Sequence, residues 1–105
     1  MKMILNSCYG GFSIAGPLKE WEDQKNAGLD PDTDWEKWYS LEDCQNRMNP
    51  EAIAILEEYG AEACSGVYAD LEVVEIPDTV TDWEINYYDG VESVIYVDGG
   101  KIYHA

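Results

Sequence analysis

The chain holds few of the residue types that usually carry catalysis. It has one histidine, His104, next to the last residue, and three cysteines, Cys8, Cys44 and Cys64, that form no CxxC pair. A cysteine nucleophile needs a neighbouring base, and a histidine at a chain end is a poor candidate because chain ends are often poorly ordered. No HExxH, P-loop, GxSxG or GxGxxG pattern occurs. We therefore predict a protein that is not an enzyme and uses no cofactor; a reaction on Cys8 or on a carboxylate pair is the weakest alternative.

Carboxylates are the most abundant reactive groups, with 22 acidic residues against six basic ones and a net charge of -16. So many acids form pairs by chance, and a solvated acidic face explains them more simply than acid–base catalysis. The segment 30–34, DPDTD, begins like a calcium loop but lacks the required Gly and Glu, so we predict no metal site. The charge also excludes direct binding of nucleic acid or an anionic membrane, because phosphates need Lys and Arg.

The acidic residues and the aromatic residues coincide in the segment 17–46. Trp35, Trp38 and Tyr39 recur at a helical spacing, and this stripe has two interpretations. It packs in the core, or it faces a partner, since Trp and Tyr are enriched in interface hot spots. We predict that this segment binds a protein with a basic surface. The predicted contact residues are Trp21, Asp30, Asp32, Asp34, Trp35, Glu36, Trp38, Tyr39, Glu42 and Asp43.

A second candidate site lies where the first apolar run ends. The pair Gly10-Gly11 permits a positive φ or a close backbone approach, and glycine amides or helix N-termini can supply donors to a small nucleotide. The scarcity of Lys and Arg weighs against such a phosphorylated ligand, and a lone Arg in so acidic a chain most often binds a carboxylate. The candidate ligand residues are Asn6, Cys8, Tyr9, Gly10, Gly11, Arg47 and Tyr88.

The elements that must position these residues begin with a strand over 2–9 and continue with helices. Helices are predicted at roughly 17–27, 34–45 and 50–60. Gly16-Pro17 and Asn49-Pro50 are start signals, because proline suits the first helical turn and asparagine caps it. A capping box beginning at Thr33 predicts the start of the second helix.

After residue 66 the apolar residues recur at every second position, as in a strand, and no longer at helical spacing. Strands are predicted over 71–77, 83–88, 92–97 and 101–105, and Asp89-Gly90 is a strong signal for a tight hairpin. Tyr87 and Tyr88 should then lie on opposite faces of their strand, with one of them exposed. The prediction is a single α+β domain over residues 1–105. It has about five strands in one antiparallel or mixed sheet, with two to three helices on one face.

Several segments together resemble a family of small proteins encoded by tailed bacteriophages and prophages. The matching stretches are the opening MKMILNSCYGGFSI, an Arg before an x-Pro helix start, and LEVVEIPDTVTDWEINYYDGVE, which cover about half of the chain. The resemblance departs in the Trp-rich segment 17–46. It implies a phage origin and a location in the host cytoplasm, which the unpaired cysteines also favour, but it implies no activity. The positions that match the family pattern are Asn6, Cys8, Gly10, Gly11, Phe12 and Arg47.

Together these features predict a phage-encoded acidic accessory protein that binds and inhibits a host factor. A factor with a basic groove, such as a CRISPR effector or another nuclease, suits a protein that imitates the charge of nucleic acid. One alternative is a sponge that sequesters a nucleotide immune signal at the Gly10-Gly11 turn. Another is a small structural or regulatory phage protein without a catalytic role.

Overall fold

A computed structural model describes all residues from 1 to 105 and has an α+β fold. Five strands form two antiparallel sheets, one with two strands and one with three. The strands are β1 (Lys2–Asn6), β2 (Leu71–Glu75), β3 (Asp82–Tyr88), β4 (Val91–Asp98) and β5 (Lys101–His104). The helices are α1 (Gly16–Lys25), α2 (Pro50–Tyr59) and α3 (Ala61–Cys64), and Cys44–Asn46 forms a 3-10 turn. None of the helices combines the length and the apolar character needed to cross a bilayer.

Strand β1 lies at the centre of the molecule and is buried on both faces. Ile4 belongs to a core cluster that includes Leu56 of α2. Met3 and Leu5 point the other way, into a second cluster that includes Val94 of β4. Because successive side chains of a strand alternate between its faces, a strand covered on both sides needs a continuous apolar run. This explains the sequence MIL, and the strand is shorter than the predicted 2–9.

The prediction of one sheet is wrong, because β1 pairs with a strand on one edge only. Its partner is β2. On the other edge, the Ile4 amide donates to the Arg47 carbonyl at 2.9 Å, and the Asn6 amide donates to Glu92 Oε1 at 2.9 Å. A loop carbonyl and a buried side chain therefore satisfy the donors that another strand would have met. Strands β3, β4 and β5 form their own sheet instead.

The predicted hairpin at Asp89-Gly90 is confirmed. Strand β3 ends at Tyr88 and β4 begins at Val91, and the two residues between them have φ angles of 50° and 86°. Two positive φ angles give the turn whose twist matches that of the flanking strands. Tyr87 lies opposite Glu92 and Tyr88 lies opposite Val91. The two tyrosines occupy opposite faces as expected, but both have exposed side chains.

Two of the three predicted helices are present. Helix α1 begins at Gly16 and ends at Lys25, two residues before its predicted end. Helix α2 has the predicted cap, since the Asn49 side chain accepts from the Glu51 amide at 2.9 Å. The short connector after it forms α3.

The predicted helix over 34–45 is wrong, and this part of the chain forms successive turns. The Asp30 amide donates to Asp34 Oδ2 at 3.0 Å, and the Asp32 amide donates to Asp30 Oδ1 at 2.9 Å. Short acidic side chains that bind nearby amides compete with the helical hydrogen bonds of the backbone. The capping box proposed at Thr33 therefore does not form.

The C-terminal side of this segment is held by α1 and by Asn26, the C-cap residue of that helix. Asn26 exchanges two hydrogen bonds with the backbone of Tyr39, at 2.7 and 2.8 Å. Two residues on, the Leu41 amide donates to Glu22 Oε2 at 2.9 Å, and the Leu41 side chain is fully buried in the core. Residues 30–38, which precede these two fixed positions, form an exposed loop, called the acidic loop below.

Candidate functional site

The acidic loop presents two tryptophans beside carboxylates. The side chain of Trp35 is 66% exposed and that of Trp38 is 38% exposed. Asp30, Asp32 and Glu36 are exposed, and Asp34 is half-buried. The structure therefore brings most of the predicted partner-binding residues into one stretch of surface. Glu42 and Asp43 are also exposed, just beyond the second anchor of the loop.

Trp21 and Tyr39 lie apart from this exposed group and pack in the fold. Their rings meet edge to face, with centroids 5.4 Å apart. Trp21 Nε1 donates to Glu51 Oε2 at 3.0 Å, and the Tyr39 hydroxyl accepts from Asn49 Nδ2 at 3.0 Å. Lys25 Nζ lies 5.0 Å from the centre of the indole ring. Of the two interpretations of the aromatic stripe, core packing applies to Tyr39 and exposure applies to the two tryptophans of the loop.

Few of the acidic side chains are neutralised by a neighbouring cation. Only five of the 22 lie within 4.0 Å of one, namely Glu22, Asp23, Glu57, Asp78 and Glu92. None of these five belongs to the acidic loop. The loop contains one basic residue, Lys37, which forms no ion pair. Its field is therefore negative and open to solvent, where it attracts a basic surface.

Arg47 is fully buried and forms an ion pair with the equally buried Glu92. Nη1 donates to Glu92 Oε1 at 2.6 Å and Nη2 donates to Oε2 at 2.8 Å, which makes the pair bidentate. Nη1 also donates to the Ile4 carbonyl, while Nε and Nη2 both donate to the Glu42 carbonyl. The guanidinium carbon lies 3.8 Å from the centre of the Phe12 ring. All five N–H groups of the arginine are thus used inside the protein.

Asn6 is the second buried polar centre, and its side chain binds three separate segments. Nδ2 donates to the carbonyls of Cys8 and Gly90 at 2.7 and 2.8 Å. Oδ1 accepts from the amides of Cys8 and Asp70 at 3.3 and 2.9 Å. Because buried polar groups cost free energy unless they are paired, this complete set of partners fixes the three segments against one another.

The residues predicted for a small ligand are therefore close together, but most of them serve the fold. Arg47 has no donor left for a phosphate. Three cavities of about 240, 260 and 290 Å³ occur in the molecule, and none is lined by any of the seven candidate ligand residues. No three side chains of the metal-binding types lie close enough together to hold an ion. Tyr9 and Tyr88 are the members of the predicted ligand set whose large side chains are mostly exposed.

Tyr87 and Cys44 form a polar contact that the sequence did not indicate. The phenol oxygen lies 3.4 Å from Cys44 Sγ. This hydrogen bond and partial desolvation raise the pKa of Tyr87 to about 12. The contribution of this tyrosine to stability is fully present below its ordinary pKa of 10.0 and is lost as the pH rises through about 12.

Replacing Cys44 by alanine is expected to lower the pKa of Tyr87 from about 12 towards 10.0, because the largest cause of the shift is removed. Tyrosinate absorbance followed in wild type, Cys44→Ala and Tyr87→Phe separates the titration of this residue from that of the other tyrosines. Circular dichroism at each pH shows that the chain is still folded. Identical titration curves for wild type and Cys44→Ala would contradict the assignment.

Two residues that matter in the folded protein, Glu92 and Tyr68, were not singled out from the sequence. Glu92 shares the buried face of β4 with Val94. The alternation of residues along this strand therefore indicated that the carboxylate of Glu92 points inwards. Tyr68 lies in the connector before β2, where no periodic pattern exists. Its close approach to Gly10 is a contact that only the folded chain reveals.

The chain was compared with models of protein families, with curated proteins and with solved structures. None of the three comparisons found a match.

Proposed function

We propose that this protein is a phage-encoded acidic protein that binds and inhibits a host protein with a basic surface in the host cytoplasm. A nuclease or another nucleic-acid-binding defence effector is the partner class that fits, because its groove is built to attract negative charge. The observation that carries this proposal is the acidic loop, in which Trp35 and Trp38 are exposed beside unpaired carboxylates.

The two kinds of side chain in the loop contribute to binding in different ways. Carboxylates steer a basic partner into contact and raise the association rate, an effect that salt screens. Tryptophans supply a large apolar area that becomes desolvated in the complex and slows dissociation. The loop therefore has both of the components that a selective interface needs.

The anchors of the loop favour binding as well. Ordering a mobile segment at an interface costs conformational entropy. Here Glu22 and Asn26 hold the chain at Leu41 and Tyr39, so a part of this cost is met during folding. A substitution of Glu22 or Asn26, which frees the chain at Leu41 or Tyr39, is therefore expected to weaken binding of the partner.

The geometry gives less support to a sponge for a nucleotide signal. Such a ligand needs donors or a positive field, and the one arginine is buried and neutralised by Glu92. No cavity opens at the Gly10-Gly11 turn. Thermal-shift measurements with cyclic nucleotides and ADP-ribose derivatives test this alternative directly, since a shift at saturating ligand would revive it.

The proposal is tested by affinity capture from host lysate with quantitative mass spectrometry. Wild type is compared with Trp35→Ala/Trp38→Ala, in which the exposed aromatic anchors are removed. Because hot-spot residues contribute about 2 kcal/mol or more, we expect recovery of a basic partner to fall at least about tenfold. Capture at about 0.1 M and about 1 M salt should differ strongly, because the Debye length falls from ~10 Å to ~3 Å.

Tyr59→Ala is the matched control, since Tyr59 is an exposed aromatic residue on α2 outside the loop. This variant should capture the partner as well as wild type does. The recovered protein is then assayed for nucleic-acid binding or cleavage with and without the acidic protein. Capture of no basic protein at either salt concentration, or equal recovery with the tryptophan variant, would contradict the proposal.

A further inference from the structure

Three turns, each with an exposed tyrosine, meet where strand β1 ends. The turns are 8–11, 66–70 and 88–91. A Cβ atom added to Gly10 would lie 2.1 Å from both the Cβ and the carbonyl oxygen of Tyr68. One added to Gly90 would lie 2.5 Å from the Tyr9 carbonyl oxygen. The turn at 8–11 is therefore in direct contact with each of the other two turns, and glycine is required at both meeting points.

The aromatic side chains of these turns are among the most exposed in the molecule. Tyr9 is 72% exposed, and Tyr68 and Tyr88 are each 74% exposed. We call these three residues and the turns that hold them the tyrosine surface. Single exposed apolar residues are ordinary on a protein surface, but three highly exposed aromatic residues on neighbouring turns are a feature typical of interaction sites.

The side chain of one buried residue fixes all three turns. Asn6 binds Cys8 in the first turn, Asp70 in the second and Gly90 in the third. The Asn6 amide is held in turn by Glu92, the partner of Arg47. The tyrosines are thus presented from a rigid base, which lowers the entropy that binding must overcome.

The charge around the tyrosine surface is negative only. Asp70 and Asp89 are exposed in the second and third turns, and no lysine or arginine belongs to any of the three. The one cation in contact with the network is Arg47, which is buried and fully bonded. A cationic partner therefore meets aromatic faces and carboxylates together, with no repelling charge in these turns.

We propose that the tyrosine surface binds an arginine-rich segment of a protein partner. A guanidinium group stacks on an aromatic face and forms bidentate hydrogen bonds with a carboxylate, whereas an ammonium group does this less well. The buried pair in this chain uses the same chemistry, because Arg47 lies against Phe12 while it binds Glu92. The inference rests on these three turns and is independent of the acidic loop.

The test is fluorescence anisotropy with two labelled peptides at about 0.15 M salt. One peptide alternates arginine with serine, and the other has lysine in place of every arginine. Equal charge makes the two peptides equivalent for long-range attraction. We expect wild type to bind the arginine peptide about fivefold or more tightly than the lysine peptide, because the difference reports stacking and bidentate contact.

The variant Tyr9→Ala/Tyr68→Ala/Tyr88→Ala should lose this preference, so that the ratio of the two dissociation constants falls to about one. Its residual, salt-sensitive binding of both peptides measures the general attraction of the net charge. Tyr9→Ala and Tyr88→Ala alone should each lower the ratio partially, which keeps the inference testable if the triple variant does not fold. Tyr59→Ala, the exposed aromatic control, should retain the wild-type ratio.

The inference is overturned if wild type binds both peptides equally, or if the tyrosine variants keep the preference. If the preference is lost in Trp35→Ala/Trp38→Ala and kept in the tyrosine variants, arginine binding belongs to the acidic loop, which also overturns it. Dimerisation of wild type that Tyr9→Ala abolishes, seen by sedimentation, would overturn it as well. Failure of the proposed function can be distinguished from failure of this inference. In that case Trp35→Ala/Trp38→Ala would capture as much protein from the lysate as wild type does, while the tyrosine variants would still lose their preference for the arginine peptide.

Discussion

Replacing Arg47 by alanine is expected to lower the free energy of unfolding by about 3–5 kcal/mol, because the change leaves the buried carboxylate of Glu92 without its partner. The loss also removes the donors that reach the carbonyls of Ile4 and Glu42. Since small domains are stable by only ~5–15 kcal/mol, this loss is a large fraction of the total stability. Urea denaturation followed by tryptophan fluorescence measures the change.

The control is Lys2→Ala, which breaks the exposed ion pair with Glu57. Exposed pairs are worth about 0–1 kcal/mol, so the midpoint should move little. The double variant Arg47→Ala/Glu92→Ala should recover a part of the loss of Arg47→Ala, because no uncompensated charge stays buried. A loss below about 1 kcal/mol in Arg47→Ala would show that the pair is not closed off from water.

The second large effect is expected for Gly10→Ala. The added methyl would overlap the Cβ and carbonyl oxygen of Tyr68 at 2.1 Å, and the obstacle includes backbone, which cannot rotate away. We expect a loss of about 3 kcal/mol, the upper end of the range for overpacking. Amide hydrogen exchange at Cys8 and Asp70 should accelerate as well, because their bonds to Asn6 require the turns to stay in contact.

Gly99→Ala separates this steric effect from backbone strain. Gly99 has a φ of 61° and no atom near its added Cβ, so the substitution carries only the cost of a left-handed conformation, about 1–2 kcal/mol. Gly10→Ala should therefore be the less stable of the two. Equal stability would mean that the turn at residues 8–11 moves apart from Tyr68 without loss.

The parts of the fold that could be predicted from the sequence are those with a local cause. The cap at Asn49 and the proline after it define the start of α2, which begins at Pro50. The turn at Asp89-Gly90 needs only two residues that tolerate a positive φ. The apolar run of Met3, Ile4 and Leu5 likewise indicated the strand β1, although not its burial on two faces.

The helix over 34–45 could not be rejected from the sequence because spacing alone does not show what covers an apolar face. Trp35 and Trp38 have helical spacing, yet neither belongs to a core cluster, and their side chains are 66% and 38% exposed. Just before this stretch, the carboxylates of Asp34 and Asp30 accept hydrogen bonds from the amides of Asp30 and Asp32, which favours turns over a helix start. These bonds depend on turn geometry that a three- and four-residue periodicity does not describe.

The division into two sheets and the assembly of the candidate sites depend on contacts between distant residues. A lone Arg was expected to bind a carboxylate, but nothing identified Glu92 among 22 candidates except its place on the buried face of β4. The meeting of Gly10 with Tyr68 likewise has no local signal. Such pairings follow from the whole fold, which is why the tyrosine surface was only partly visible in the sequence.

The central position of β1 also determines when the protein can fold during its synthesis. This strand is synthesised before its pairing partner β2, which begins at Leu71, and before Glu92, whose side chain holds its second edge. Contacts this distant in sequence slow folding, because long loops must close before they form. The apolar segment of Met3, Ile4 and Leu5 therefore stays incompletely covered until residues 71–94 have been synthesised, and a nascent chain halted before residue 92 should be a strong client for chaperones.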